Sequence, residues 1–393
     1  MNNIVITGAN FANKGAEAML YTVVDQMKKK YPTADIFLLD LFPSLSEEEK
    51  KKYSFNIVDM GMRSLFRISN WIGKYIIEPD DRFNNEDVIN EIMGNADLLV
   101  DISGYGINSQ SSYFRHPLSY LAQIKLGKKY NVPIYILPQS LGPFDFSTKH
   151  KIVLYPLMQW YLKYPEKIFA REIDGVKALE KFTQKNVLQS YDVVLQTQKY
   201  DINNIFKEEY TLKADYNFVD NVVGIIPNNN LFKFSKKKKI YETYYNLIEE
   251  LLEKDKEVYI IRHSNGDFDF CKKIKKEFKN NKSVVLYNDD YYPFQLEELI
   301  SQLDYLVTSR YHGLVHGYKN KKPCLVIGWA IKYKRLMEKF NQGEFCFDCR
   351  DGLSQDEIVQ KLDELNSKHK QYSKSIGEKI EKIKENNIFD KYF

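Results

Sequence analysis

The chain of 393 residues carries 57 Lys and Arg against 53 Asp and Glu, a formal charge of +4, with 44% apolar and 28% charged residues. That composition is ordinary for a globular chain, and the imbalance lacks the basic domain or stripe that nucleic-acid binding needs. Only nine cations are Arg (63, 67, 82, 115, 171, 262, 310, 335 and 350), so an Arg at the end of a buried strand asks for a specific role.

The length exceeds twice a typical domain of roughly 150 residues and predicts two domains. No apolar run approaches the roughly 18–20 residues of a membrane span. The start Met1-Asn2-Asn3-Ile4-Val5-Ile6-Thr7-Gly8 has neither a basic segment nor a cleavage site. It reads as a first strand rather than a signal peptide, and a cytoplasmic protein is expected.

In chain order, strands are expected at Asn3–Thr7, Asp35–Leu39, Leu98–Ile102, Pro133–Leu137 and Lys167–Ala170. Helical patterns at Gly15–Tyr31, Tyr113–Tyr130 and Asp174–Lys185 separate several of them. Alternation of this kind marks α/β units around a mainly parallel sheet. Pro43–Glu86 is first lysine-rich and then aromatic, an excursion or an acceptor-side loop. The polar, aperiodic stretch 196–218 suits a linker.

A second series follows, with strands at Val222–Ile226, Glu257–Arg262, Val284–Leu286, Tyr305–Thr308 and Pro323–Ile327. Its helices are Ile240–Glu253, Phe268–Lys279, Pro293–Gln302 and Gly313–Tyr318, and a charged helix over Ser354–Asn386 precedes the closing Phe389-Asp390-Lys391-Tyr392-Phe393. The expected divisions are 1–200, a linker 201–218, 219–350 and a helical tail 351–393. Lys236–Lys239 reads as a solvated loop, and Cys346-x-x-Cys349 lacks a second Cys/His pair to complete a zinc site. The economical α/β architecture is two Rossmann-like domains facing across a cleft, with ligands at the carboxyl ends of strands.

That rule gives the scarce arginines a place. Arg171, Arg262 and Arg310 each end or follow a strand, and a guanidinium grips carboxylate or phosphate with a rigid two-pronged donor set. His263 follows Arg262. The strongest constellation is Thr308-Ser309-Arg310-Tyr311-His312-Gly313, where a strand turns into a helix whose free N–H groups favour an anion. Lys332 stands beyond the next strand as a further cation. The loop Gly8–Glu17 is neither a dinucleotide fingerprint nor a Walker loop. Glu17 there reads either as a helix-stabilising acid or as a general base facing the cleft. Ser103 and Gln139, in two small-residue loops, read either as sugar-hydroxyl partners or as loop caps.

These loops, in order, resemble the polysaccharide pyruvyl transferase family: Asn13-Lys-Gly15-Ala-Glu17, Ser103-Gly104-Tyr-Gly106, Pro138-Gln139-Ser140-Leu-Gly142-Pro143, Ala170-Arg171-Glu172 and Ser309-Arg310-Tyr-His312-Gly313, then Lys332. The family often has Asp where Ala16 stands, which leaves Glu17 as the acid of that loop. The resemblance implies a glycosyltransferase-B-like fold. It also implies transfer of pyruvate from phosphoenolpyruvate to two hydroxyls of a sugar, giving a cyclic ketal and phosphate. Catalytic candidates are then His312 as acid or phosphate donor, Arg310, and Glu17 as base. Substrate-binding candidates are Arg171, Lys332, Asn13, Ser103, Gly104, Gln139, Ser309, Gly313, Arg262 and His263. Phosphoenolpyruvate is the donor, and no metal or further cofactor is expected. The acceptor is a sugar or a lipid-linked oligosaccharide, which would bring the enzyme near a membrane surface. The alternatives are a nucleotide-sugar glycosyltransferase of the same fold and a binding protein that has lost turnover.

Overall fold

Short Val/Ile-rich runs flanked by helices fold into two parallel sheets. The computed structural model describes residues 1–71, 85–109, 114–207 and 220–393. The first sheet contains β1 (Asn3–Thr7), β2 (Asp35–Asp40), β3 (Asn56–Asp59), β4 (Leu98–Asp101), β5 (Ile134–Gln139), β6 (Lys167–Ala170) and β7 (Val187–Gln189), in the order β3-β2-β1-β4-β5-β6-β7. The second contains β8 (Val222–Ile226), β9 (Glu257–Ile261), β10 (Val284–Tyr287), β11 (Tyr305–Thr308), β12 (Cys324–Gly328) and β13 (Cys346–Asp348), in the order β10-β9-β8-β11-β12-β13. The fold is α/β and glycosyltransferase-B-like.

Three short edge strands, β3, β7 and β13, carry too few residues to show a pattern in the sequence. β3 and the helix Gly61–Ile68 occupy part of the stretch read as an excursion, of which 72–84 lie outside the described residues. Tyr113 and residues 208–218 of the expected linker lie outside them as well. Residues 205–207 of that stretch pair with the loop before β3, where Ser54 N–H donates to Ile205 O and Lys207 N–H to Lys52 O. Lys237–Lys239 form the first turn of the helix Lys237–Glu253, correcting the loop expected there.

Local chemistry explains the element that opens the site. Asn13 caps the helix Lys14–Lys30 by accepting the N–H of Gly15 at 3.0 Å, and Lys28, Lys29 and Lys30 in its last turn complement the helix dipole. One apolar core runs from the face of the first sheet under this helix, through Val193-Val194-Leu195, into the second domain. A separate core fills the other face of the first sheet. The helix Gln355–Glu385 packs on the second domain. The chain then returns to the first domain, where Lys30 Nζ donates to Phe389 O at 2.9 Å and Tyr31 Oη to Phe393 O at 2.6 Å.

Candidate functional site

Each sheet reverses its strand order once, between β1 and β4 in the first and between β8 and β11 in the second. Loops diverge at such a reversal and leave a crevice beyond the strand ends. The two crevices meet in a cavity of about 230 Å³. Asn10, Asn13, Ser103, Gly104, Tyr105 and Arg171 line it from the first domain, and Asn228, Asn230, His263, Arg310, Tyr311, His312, Trp329 and Lys332 from the second.

On the first wall, β4 ends in buried Asp101, which accepts from Ser103 Oγ and Gln139 Nε2 at 2.8 Å each. Burial pushes this carboxyl up, and the donated hydrogen bonds oppose the shift. Gly104 follows with φ +67°, a conformation costly for other residues, and its carbonyl accepts from Arg171 Nη1 at 3.0 Å. Arg171, at the end of β6, is buried with Nη2 at 2.5 Å from Asp192 Oδ2, and its Cζ stands 5.2 Å from the centre of the Tyr311 ring.

On the second wall the turn after β11 is pinned from several sides. Thr308 Oγ1 accepts the N–H of Arg310 at 3.1 Å, and the carbonyl of buried Ser309 accepts from Asn228 Nδ2 and Tyr333 Oη at 3.0 Å each. The helix Tyr311–Lys319 therefore starts at the cavity. Arg310 donates through Nε and Nη2 to the two oxygens of buried Asp267, at 2.8 and 2.5 Å. Glycine at position 15 brings the first domain against His312, because a Cβ there would lie 2.1 Å from Nδ1 of the ring.

His312 Nε2 faces Asp192 Oδ2 at 3.4 Å, but neither atom completes a hydrogen bond. Burial holds the imidazole down to about 4; Asp192 opposes that and Arg171 adds to it. Burial would push Asp192 up, yet Arg171 and His312 overcome it and hold the carboxyl far below its usual range. Lys332 Nζ lies 4.6 and 5.0 Å from the ring centres of Tyr105 and Tyr311, and burial followed by Arg171 lowers it to about 8. Arg171 Nε, His312 Nε2 and both ring nitrogens of buried His263 have no partner. Buried polar atoms are rarely left so, and their convergence on one cavity marks a place for a polar ligand.

Of the expected site residues, Asn13, Ser103, Gly104, Arg171, His263, Arg310, His312 and Lys332 meet at this cavity. Five do not line it. Glu17 is buried beneath the loop, where it accepts from Lys14 Nζ at 2.9 Å and Tyr21 Oη at 2.5 Å, so it faces the core and not the cleft. Gln139 is spent on Asp101. Arg262 donates to Asp289 O at 3.2 Å and stacks over Phe268. Ser309 pins the turn from behind, its hydroxyl 2.7 Å from Tyr244 Oη. Gly313 permits close packing, since a Cβ would lie 2.4 Å from Thr308 Oγ1. Sequence reasoning missed Asp192 and Asp267, the partners of the two arginines. Asp192 announces itself only as a turn cap, accepting from Val194 N–H at 3.0 Å.

The family model described as polysaccharide pyruvyl transferase matches residues 13–330. The chain belongs to that family. The match spans every loop of this pyruvyl transferase family member that reaches the cavity, apart from Asn10 at one end and the Lys332-Tyr333 pair at the other. No curated protein matches it. Among solved structures, S. aureus MnaA with UDP aligns at TM-score 0.57 and 12% identity, covering 96% of this chain and 91% of that one. UDP-GlcNAc 2-epimerase from Neisseria meningitidis, bound to UDP-GlcNAc, aligns at 0.55 and 13%, covering 96% and 94%. A glycosyltransferase from Rickettsia africae aligns at 0.55 and 14%, covering 98% and 94%. Likeness at these identities shows the fold alone. Among the described residues, no helix is long and apolar enough to cross a membrane.

Proposed function

We propose that the protein transfers pyruvate from phosphoenolpyruvate to two hydroxyls of a sugar in a polysaccharide or its precursor, closing a cyclic ketal and releasing phosphate. The observation that carries this reading is the set of unpartnered buried nitrogens on Arg171, His312 and His263, beside Lys332 and at a helix start. A small molecule bearing both carboxylate and phosphate suits such a donor array. Protonation of the enol methylene gives oxocarbenium character at the carbon bearing phosphate, where a sugar hydroxyl attacks. Bound next to His312, the phosphate raises the imidazole and lets it donate a proton. Arg171 and Arg310, held by buried carboxylates, are fixed before substrate arrives and need no reorganisation. The donor is a metabolite of the cell interior, which fits a cytoplasmic enzyme acting on a precursor before export.

The nucleotide-sugar alternative needs a carboxylate for the ribose. Glu338, the first acid in the sequence after the Arg310–Gly317 turn, is ion-paired on the surface with Arg335 at 3.0 Å. The deciding experiment incubates the protein with phosphoenolpyruvate and candidate saccharides and follows phosphate and the ketal methyl signal by NMR. Equimolar phosphate and ketal, formed only when both substrates are present, are expected. Turnover driven by a nucleotide sugar in place of phosphoenolpyruvate would overturn the reading.

Lys332 gives the site a pH dependence. Its depressed value of about 8 means that the cation is lost as pH rises through that point. The KM for phosphoenolpyruvate is therefore expected to climb above pH 8, by up to about tenfold per unit. Lys332→Arg, which stays charged, should flatten the climb. An equal climb in both proteins would show that another group is responsible.

A further inference from the structure

A second cavity, of about 350 Å³, opens beside the first, and Tyr105 and Lys332 line both. It is built almost entirely from the first domain. The Ser140–Asp145 loop after β5 and residues 174–181 after β6 form its sides, and Ala330–Lys332 of the second domain close it. Its walls mix aromatic and aliphatic faces, from Tyr105, Phe144, Tyr155 and Leu141, with the polar Ser140 and Glu172. Flat apolar faces combined with a few placed hydrogen-bonding groups suit a sugar ring.

Consecutive residues at the end of β6 serve the two cavities, since Arg171 lines the first and Glu172 the second. Glu172 is buried, and its Oε1 accepts from Ser140 Oγ at 3.0 Å. We propose that the second cavity holds the acceptor sugar and that Glu172 is the base for the attacking hydroxyl, the role that buried Glu17 cannot fill. This rests on the pyruvyl-transfer reading. Burial raises the Glu172 carboxyl, with Arg171 and Lys332 opposing, which moves it toward the range of an effective base.

The hydroxyl oxygen bonds to C2 of phosphoenolpyruvate as C3 takes a proton from the imidazolium of His312, and the hydroxyl proton passes to Glu172. The bond from C2 to the phosphate oxygen breaks, its electron pair leaving with phosphate. The second hydroxyl then closes the ring, and its proton leaves with phosphate. Glu172 returns its proton to solvent, replacing the one consumed at C3.

Two variants test the proposal, each characterised with phosphoenolpyruvate alone and then with saccharide. Glu172→Gln keeps the shape and the acceptor for Ser140. It is expected to bind phosphoenolpyruvate within about threefold of wild type while kcat falls about 10²–10⁴-fold at little-changed acceptor KM. Ala178→Leu, which fills the second cavity, is expected to raise acceptor KM about tenfold or more, the scale of one lost apolar contact, with phosphoenolpyruvate affinity unchanged. If wild type and both variants bind phosphoenolpyruvate but kcat survives in Glu172→Gln and acceptor KM is unmoved in Ala178→Leu, the acceptor site lies elsewhere and the donor reading stands. If wild type itself fails to bind phosphoenolpyruvate, the pyruvyl reading falls, and this proposal falls with it.

Discussion

His312→Ala is expected to lose about 10²–10⁴-fold in turnover, the usual contribution of one placed acid or base, with little loss of stability. The ring is buried with Nε2 unpartnered, and removing it leaves Arg171 still at 2.5 Å from Asp192. The melting midpoint should therefore move by no more than about 2–4 °C, the mark of roughly 1 kcal/mol. Burial, reinforced by Arg171 against the pull of Asp192, sets the protonation behaviour. In the folded chain the imidazole takes its proton only near 4, against 6.5 in the unfolded chain. Between those values the unfolded state binds more protons, so this residue's share of stability is present above 6.5 and lost as pH falls toward 4. The variant should lack that acid-sensitive share. A bound phosphate reverses the balance at the ring, so phosphoenolpyruvate binding should draw in a proton. Calorimetry in two buffers of different ionisation enthalpy measures this uptake, which should be absent from His312→Ala. A variant that keeps a tenth of wild-type turnover would remove His312 from the chemistry.

Arg310→Ala is expected to behave differently, because it should cost stability as well as turnover. Asp267 is 0% exposed, and its charge is answered by the two donated bonds of Arg310 at 2.8 and 2.5 Å. Removing one partner of a buried pair leaves the other charge stranded, at a cost of about 3–5 kcal/mol. Urea unfolding should show that loss. The double variant Arg310→Ala with Asp267→Asn should recover most of the stability, since the neutral amide still accepts the N–H of Asn229, now at 3.1 Å from Asp267 Oδ1. It should recover none of the turnover. A single variant as stable as wild type would mean that Asp267 finds another counter-charge, and the fixed-guanidinium account of the site would fail.

Much of this site was legible because its cations stand at strand ends. The runs Lys-Ile-Phe-Ala-Arg171 and Leu-Val-Thr-Ser-Arg310 show a buried strand by composition and a charge by position, and Lys332 follows β12 in the same way. The carboxylates behind the arginines were not legible. Asp192 and Asp267 sit in short turns with no periodicity, and only the folded loops bring them 21 and 43 residues in sequence to their partners. Glu17 misled for a related reason. A residue in a first helical turn faces either cleft or core according to the roll of the helix, and here the packing of Tyr21, one turn further on, against Tyr53 and Phe206 turns that face inward. Gln139 shows the same effect in a strand, where alternation turned it inward to Asp101. The short strands β3, β7 and β13 escaped because three or four residues at a sheet edge are specified by their neighbour and not by their own pattern.

The apolar core that passes through Val193-Val194-Leu195 from one sheet to the other has a consequence for how the protein is made. Two domains joined by a polar contact fold and melt as separate units, whereas domains that share a hydrophobic interior lose their cooperativity together. The helix Lys14–Lys30, which covers one face of the first sheet, is itself covered on its far side by the helices Pro293–Ser301 and Tyr311–Lys319 of the second domain. A nascent first domain would present that face to solvent until the second domain was synthesised, and exposed apolar surface in that interval favours aggregation over folding.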